Sequence, residues 1–265
     1  MGRGNAPPVI LAFGGLDPTG GAGLLMDARA IHAAGGYAAA VPSCLAVQTT
    51  VSFDRIVPVP REALDRSLAC AAESFRLGAL KVGMIGTRAA AEAILAFVAA
   101  HPGLPVVVDP VLRSSAGVPL MARAALPAYR RLLCHAAVLT PNLPEAEKIL
   151  DRTVGTFRDA VPAARDIAAA TGAAVVLKGG HFPWPGKRGT DILFDRGRVT
   201  LLAGPPFPRG RDPHGTGCAL AAAIAARIAR GDGFIEAVRR AKAILSAMAA
   251  TGFPSAEGRW TLYAP

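Results

Sequence analysis

Cysteine is scarce and scattered in this chain. Only Cys44, Cys70, Cys134 and Cys218 occur in 265 residues, with no C-x-x-C pair. That excludes the disulfide framework of a small secreted domain and the paired spacing of a zinc site, and points to reduced thiols in a cytoplasmic protein. Aromatic residues make up 6%, too few to offer stacking platforms to a single-stranded nucleic acid. Acidic residues number 19 against 29 lysines and arginines, for a formal net charge of +10. No block of like charge gathers that excess, so the bases describe a solvated face, not a nucleic-acid stripe, though one that draws in polyphosphates. Apolar residues reach 52%, yet Gly, Pro or charge breaks every run before membrane-spanning length. No small-residue cleavage site follows the first residues, so neither a signal peptide nor a membrane partner is expected. A G-x-x-x-x-G-K-[ST] phosphate loop is missing as well.

What is present is an alternation of short apolar runs with helical periodicity. Strands are expected at 8–13, 56–59, 80–85, 106–108, 137–140 and 173–177, with a further apolar run at 37–47 that ends at Gln48. Helices are expected at 23–34, 61–75, 88–100, 122–133, 143–150, 157–171, 219–229 and 235–250, and 192–194 with 199–202 reads as a hairpin around Asp195-Arg196-Gly197. Such alternation predicts an α/β fold, a mostly parallel sheet with helices on both faces, with 1–265 as one domain. Ligands of such sheets bind at the carboxyl ends of the strands, where this chain places its polar residues.

The stretch Asp212-Pro213-His214-Gly215-Thr216-Gly217-Cys218 runs straight into an alanine-rich segment. A turn cluster feeding a helix start leaves backbone N–H groups and a helix dipole free for an anion. Gly215 and Gly217 let the backbone approach that anion closely. Cys218 falls in the first helical turn, where a thiol is expected to shift toward a thiolate. The alternative is a plain tight turn with Cys218 as a small buried hydrophobe.

Four further constellations carry polar chemistry. The loop 14–23 is rich in glycine without a clean G-x-G-x-x-G, and Asp27 behind it could serve the helix dipole. Asp109 closes a buried strand. Asn142 and Glu145 offer either hard oxygen ligands or a capping box with Pro144 between them. Lys178, before Gly179-Gly180, is either a cation for a transferring phosphate or an exposed strand end.

Taken in order, Gly20-Gly21-Ala22-Gly23, Gln48, Lys81-Val82-Gly83-Met84, Asp109-Pro110-Val111, Thr140-Pro141-Asn142-Leu143-Pro144-Glu145-Ala146, Lys178-Gly179-Gly180-His181 and His214-Gly215-Thr216-Gly217-Cys218 resemble the hydroxymethylpyrimidine/phosphomethylpyrimidine kinases of thiamine biosynthesis. The resemblance covers nearly the whole chain. It implies a ribokinase-like three-layer sandwich, a central mostly parallel sheet flanked by helices, that uses ATP and Mg²⁺ to phosphorylate 4-amino-5-hydroxymethyl-2-methylpyrimidine and then its monophosphate. It further implies that Gly15, Ala22, Asp27, Gln48, Met84 and Val111 line the pyrimidine pocket. Asp109, Asn142, Lys178 and His214 would face the nucleotide, and Asp109 and Glu145 the metal. Gly215, Thr216, Gly217 and Cys218 would form the anion hole and base, in a homodimer.

The chain also departs from the family pattern. Leu16, Pro18, Leu25 and Met26 stand where the family loop carries two serines, a glutamine and an alanine. After Asp109-Pro110-Val111 the family's Ala-Lys-Ser-Gly is replaced by Ser114-Ser115-Ala116-Gly117, which removes a cation; Arg113 compensates only if it reaches the same space. Asp212-Pro213 replaces Asn-Thr, and 253–265 replaces a Gly-His-Gly-rich tail. A pyridoxal-type vitamin kinase and a catalytically silent pyrimidine-binding protein are the alternatives.

Overall fold

The computed structural model describes residues 6–113, 117–204 and 213–264. The first five residues, Asp212 of the glycine motif and 114–116 of the lysine-free loop lie outside them.

A nine-stranded sheet organises the chain, in the order β3-β2-β1-β4-β5-β6-β7-β8-β9. Its strands are β1 (Val9–Leu16), β2 (Tyr37–Gln48), β3 (Phe53–Pro58), β4 (Leu77–Val82), β5 (Val106–Val108), β6 (Val138–Leu139), β7 (Ala174–Leu177), β8 (Thr190–Asp195) and β9 (Arg198–Ala203). Pairing is parallel from β2 through β1, β4, β5 and β6 to β7, and antiparallel at both edges. The expected hairpin is present, with Arg196 and Gly197 at φ 47° and 81°.

Period-two alternation sends successive side chains to opposite faces. Leu11, Phe13, Leu80, Val82, Val106 and Val108 pack on one side, under α2 (Arg61–Ser74), α3 (Arg88–Ala100), α4 (Leu126–Leu133), α5 (Leu143–Leu150) and α6 (Phe157–Thr171). Ile10, Ala12, Ala79, Val107, Val138 and Val176 face the other, under α1 (Gly23–Ala33), α7 (Thr216–Ala229) and α8 (Phe234–Ala250). The result is a three-layer sandwich. Every residue of α7 from Ala219 to Ala226 is buried, and six of those eight are alanines. Their small side chains let the helix axis run close to the sheet, which seats its N-terminus at the edge where the parallel strands end.

Caps set several boundaries. Thr87 and Thr156 accept from the backbone at N3 of α3 and α6, and Asn142 does the same for α5, where Glu145 returns the bond to complete a capping box. Expected and observed bounds coincide for α3, α5, α6 and β5. Elsewhere they differ. The helix expected at 122–133 starts with a 3₁₀ turn, Arg123–Ala125, before α4, and a small antiparallel pair, β10 (Phe253–Pro254) with β11 (Trp260–Thr261), has no counterpart in the sequence pattern.

Candidate active site

The carboxyl ends of the parallel strands are held in step. Gly83 N–H donates to the Phe13 carbonyl at 2.8 Å, Asp109 N–H to Val82 at 2.8 Å, Thr140 N–H to Val108 at 3.0 Å and Lys178 N–H to Pro141 at 2.8 Å. Their polar residues therefore reach one edge of the sheet together, facing the start of α7, and there they line a cleft of about 410 Å³. All the residues singled out from the sequence meet in it: Gly15, Ala22, Asp27, Gln48, Met84, Asp109, Val111, Asn142, Glu145, Lys178, His214, Gly215, Thr216, Gly217 and Cys218. The volume suits a small-molecule ligand. Arg113 does not reach it, because its guanidinium donates to the carbonyl of Gly117 at 2.8 Å in its own loop.

The start of α7 has the shape an anion requires. Gly215 caps it at φ 81°, and a Cβ there would collide with the Gly21 carbonyl, so glycine is obligatory. Ala219 N–H closes the first helical bond to Gly215 at 2.9 Å, and the amides of Gly217 and Cys218 take no acceptor among the described residues. Two free donors at a helix start, with Lys178 beside them, make an anion seat.

Cys218 departs from its expected chemistry. The helix start is in place, but burial pushes the thiol up to about 11, with Asp27 and Asp109 adding to the shift. Lys81 and an N–H bond from Gly23 pull the other way and lose. The sequence signal for a lowered thiol counts the helix dipole and misses the desolvation.

Around the anion seat the charges are paired. Lys178 Nζ lies 2.6 Å from Asp109 Oδ1 and 3.7 Å from Glu145 Oε2, so it is not an exposed strand end. Burial works against its ammonium, but Asp109 and Glu145 outweigh that and hold it well above the usual lysine range. Thr140 Oγ1 also donates to Asp109, at 3.1 Å. Burial raises Glu145 to about 7 against the pull of Lys178, with Asp109 adding to the rise. Asn142 and Glu145 thus cap α5 and line the cleft at once, and the two readings of the sequence are compatible.

Asp27 is not a helix-dipole partner. Both its oxygens accept from Lys81 Nζ at 2.7 Å, and the side chains are 0% and 1% exposed. Burial lifts Asp27 to about 6, with Lys81 opposing; burial also opposes the Lys81 ammonium, yet Asp27 and its neighbours hold it at about 12. Lys81 belongs to the site and was legible only as a lysine inside an apolar strand, a position that demands a buried partner. Asp17, also unassigned from sequence, fixes the glycine loop by accepting from Thr19 N–H and Ala22 N–H, each at 2.9 Å. His214 packs by that loop, close to Gly21. Burial lowers its pKa, Asp17 opposes this and Arg259 reinforces it.

Glu145 gives a pH test. A carboxyl whose folded pKa is raised contributes stability below its unfolded value of 4.5 and loses it as pH climbs through about 7. Without nucleotide or metal, the wild type should therefore lose stability relative to Glu145→Gln between about pH 4.5 and 7. Urea unfolding at stepped pH measures the difference, and parallel curves would refute the assignment.

On the far side of Lys178, Thr216 and Gly217 the cleft continues into a second cavity of about 390 Å³, lined also by Asn142, Leu143, Pro144 and Pro183. One half thus holds Gln48 and Met84, the other Leu143 and Pro183, and Lys178, Thr216 and Gly217 of the anion seat line both. That arrangement suits transfer of a phosphoryl group from one bound molecule to another.

The family model described as phosphomethylpyrimidine kinase matches residues 17–262. The hydroxymethylpyrimidine/phosphomethylpyrimidine kinase of Staphylococcus aureus (strain MRSA252) is 33% identical over 242 residues, covering 91% of this chain and 87% of that protein. The thiamine biosynthesis multifunctional protein ThiED of Corynebacterium efficiens is 33% identical over 231 residues. That match covers 87% of this chain, which spans only 31% of the larger protein. Among solved structures, the pyridoxal kinase from Staphylococcus aureus in complex with AMP-PCP and pyridoxal superposes with a TM-score of 0.86 at 25% identity, covering 97% of this chain and 93% of that one.

Proposed function

We propose, from the premise that the chain belongs to the phosphomethylpyrimidine kinase family, that it transfers the γ-phosphoryl group of ATP to 4-amino-5-hydroxymethyl-2-methylpyrimidine and to the resulting monophosphate. It is a kinase of ribokinase-like fold, and so a phosphotransferase of thiamine biosynthesis. The observation that carries the substrate reading is the pair of free amides at Gly217 and Cys218, at the junction of a half-cleft holding Gln48 and a second half lined by Leu143 and Pro183. Gln48 offers both a donor and an acceptor to an aminopyrimidine edge, among Gly15, Ala22, Met84 and Val111. Asp27 serves this wall through its pair with Lys81. ATP occupies the other half, with Asn142, Lys178 and His214 toward its phosphates. The AMP-PCP complex of the related pyridoxal kinase supports that donor.

Mg²⁺ fits the carboxylates as a partner shared with the nucleotide. Asp109 Oδ2 and Glu145 Oε1 accept no bond among the described residues, and no cluster there holds three or more potential ligands. Two hard oxygens suit an ion bound chiefly by phosphates and water. When bound, it neutralises charge on the transferring group. The chain's own residues do the rest: Gly217 and Cys218 amides hold the phosphoryl oxygens, Lys178 faces them, and Cys218 receives the proton of the alcohol.

ADP release measured with the pyrimidine, its monophosphate and pyridoxal decides among the readings. Preference for pyridoxal would replace the substrate, and binding without turnover would make the chain a silent receptor. We also read it as a cytoplasmic homodimer; no described helix is long and apolar enough to cross a membrane, and a monomer in sedimentation equilibrium would remove the dimer.

Since positioning does most of the work in phosphoryl transfer, Cys218→Ala should lower kcat on the alcohol by about 10²-fold, the low end for a general base. ATP affinity should stay unchanged. Because the base must be deprotonated and its pKa lies near 11, the wild-type rate should climb with alkaline pH and the variant's should not. An unchanged pH–rate profile would remove Cys218 from the role.

A further inference from the structure

Three cations line the cleft, Lys81, Lys178 and Arg259. Lys81 is taken by Asp27 and Lys178 by Asp109 and Glu145. Arg259 is different. Its guanidinium has no ion pair or hydrogen bond among the described residues, and its Nε is buried without an acceptor. A buried donor with no protein acceptor is costly until water or a ligand meets it, and a bound anion would do so. Against the four carboxylates on the same walls (Asp17, Asp27, Asp109 and Glu145), it is the cation left to meet an incoming anion.

Its position selects the side. Arg259 shares the cleft with Gln48, Met84 and Cys218 and does not line the second cavity beyond Lys178 and Gly217. The β10–β11 hairpin that carries it is anchored at several points. Ser255 N–H donates to the Arg259 carbonyl at 2.8 Å, Arg259 N–H to Ser255 Oγ at 3.2 Å, and His214 N–H to the Trp260 carbonyl at 3.2 Å. The turn after Gln48 meets the same hairpin, with Thr50 Oγ1 2.9 Å from Ser255 Oγ and Thr50 N–H 3.1 Å from Glu257 Oε2. The hairpin backbone is thus fixed while the guanidinium it carries lines the cleft with Gln48, and a planar guanidinium can fork onto a phosphate.

We propose that Arg259 is the specificity-determining residue that binds the phosphate of a phosphorylated acceptor, and so admits the pyrimidine monophosphate as a substrate. This rests on the pyrimidine kinase reading and deepens it. The two transfers make opposite demands. With the alcohol, the hydroxyl oxygen forms the new P–O bond, the bond to the ADP oxygen breaks, and the hydroxyl proton passes to a base. With the dianionic monophosphate, a phosphate oxygen attacks, the same bond breaks, and no proton has to leave. Cys218 therefore serves the first transfer and Arg259 the second.

The test compares wild type with Arg259→Ala and Arg259→Lys, using kcat/KM for the alcohol and the monophosphate and calorimetric binding of the monophosphate without nucleotide. Loss of a charge-assisted contact predicts a fall of about 30- to 100-fold for the monophosphate in Arg259→Ala, carried mainly by KM. Lysine should restore part of it, and the alcohol should stay within about threefold, which also shows that the variant is folded. Monophosphate binding should weaken in parallel. An equal loss on both substrates, a rise confined to the KM for ATP, or a wild type that phosphorylates the alcohol but not the monophosphate each overturns the proposal. A wild type that turned over neither pyrimidine would sink the function proposed above instead, and the calorimetry would then decide Arg259 alone.

Discussion

Gly217→Val is expected to cut kcat/KM by about 10²- to 10³-fold, the scale of losing an anion-hole donor, while the protein stays folded and its melting temperature falls by only a few degrees, on the order expected of local crowding. The backbone N–H survives the change; what is lost is access to it. A Cβ at this position lies 3.1 Å from Lys178 Nζ and 3.4 Å from Asp109 Oδ2, in the gap that a phosphoryl group has to cross. Lys178 cannot swing aside cheaply, being held 2.6 Å from Asp109. The branched carbons of valine would crowd the seat further, whereas helical backbone at Gly217 carries no glycine-specific φ. Steady-state kinetics beside thermal unfolding separates the two effects. Full activity in the valine variant would show that transfer happens elsewhere.

The second large effect falls on stability. Lys81→Met strips the ammonium that both oxygens of a fully buried carboxylate accept from, and breaking a buried pair from one side costs about 3–5 kcal/mol. For a chain of this size that is a drop in melting temperature on the order of 10 °C. Replacing both partners, Lys81→Met with Asp27→Leu, should recover most of the loss, because two apolar side chains of similar volume need no pairing. If the single variant melts like wild type, the pair adds nothing to the fold. If the double variant is stable but slow, the pair's value lies in the cleft wall it forms.

The layers of the fold were legible because local signals agree with the packing. Val106 to Val108 read as a buried strand, and Asn142 with Glu145 marks a helix start before any tertiary contact is known. The β10–β11 pair left no such trace, since four residues carry no periodicity and their order comes from contacts with His214 and Thr50. The site divided in the same way. Residues picked from glycine-rich or strand-end motifs line one cleft. Lys81 and Arg259 line the same cleft without a signal in the sequence, because their meaning lies in whether an acid sits across from them, which no linear spacing states. The thiol of Cys218 was misjudged for a related reason, burial being a property of the surroundings.

The anchoring of the hairpin to the turn after Gln48 joins residues 207 positions apart. On the ribosome, where the earlier part of a chain organises first, the sheet can assemble around β1 and β4 well before that wall exists. A nascent chain halted short of Arg259 should therefore be compact yet lack the proposed contact to a pyrimidine phosphate, and transfer to the monophosphate would begin only once synthesis had passed the hairpin.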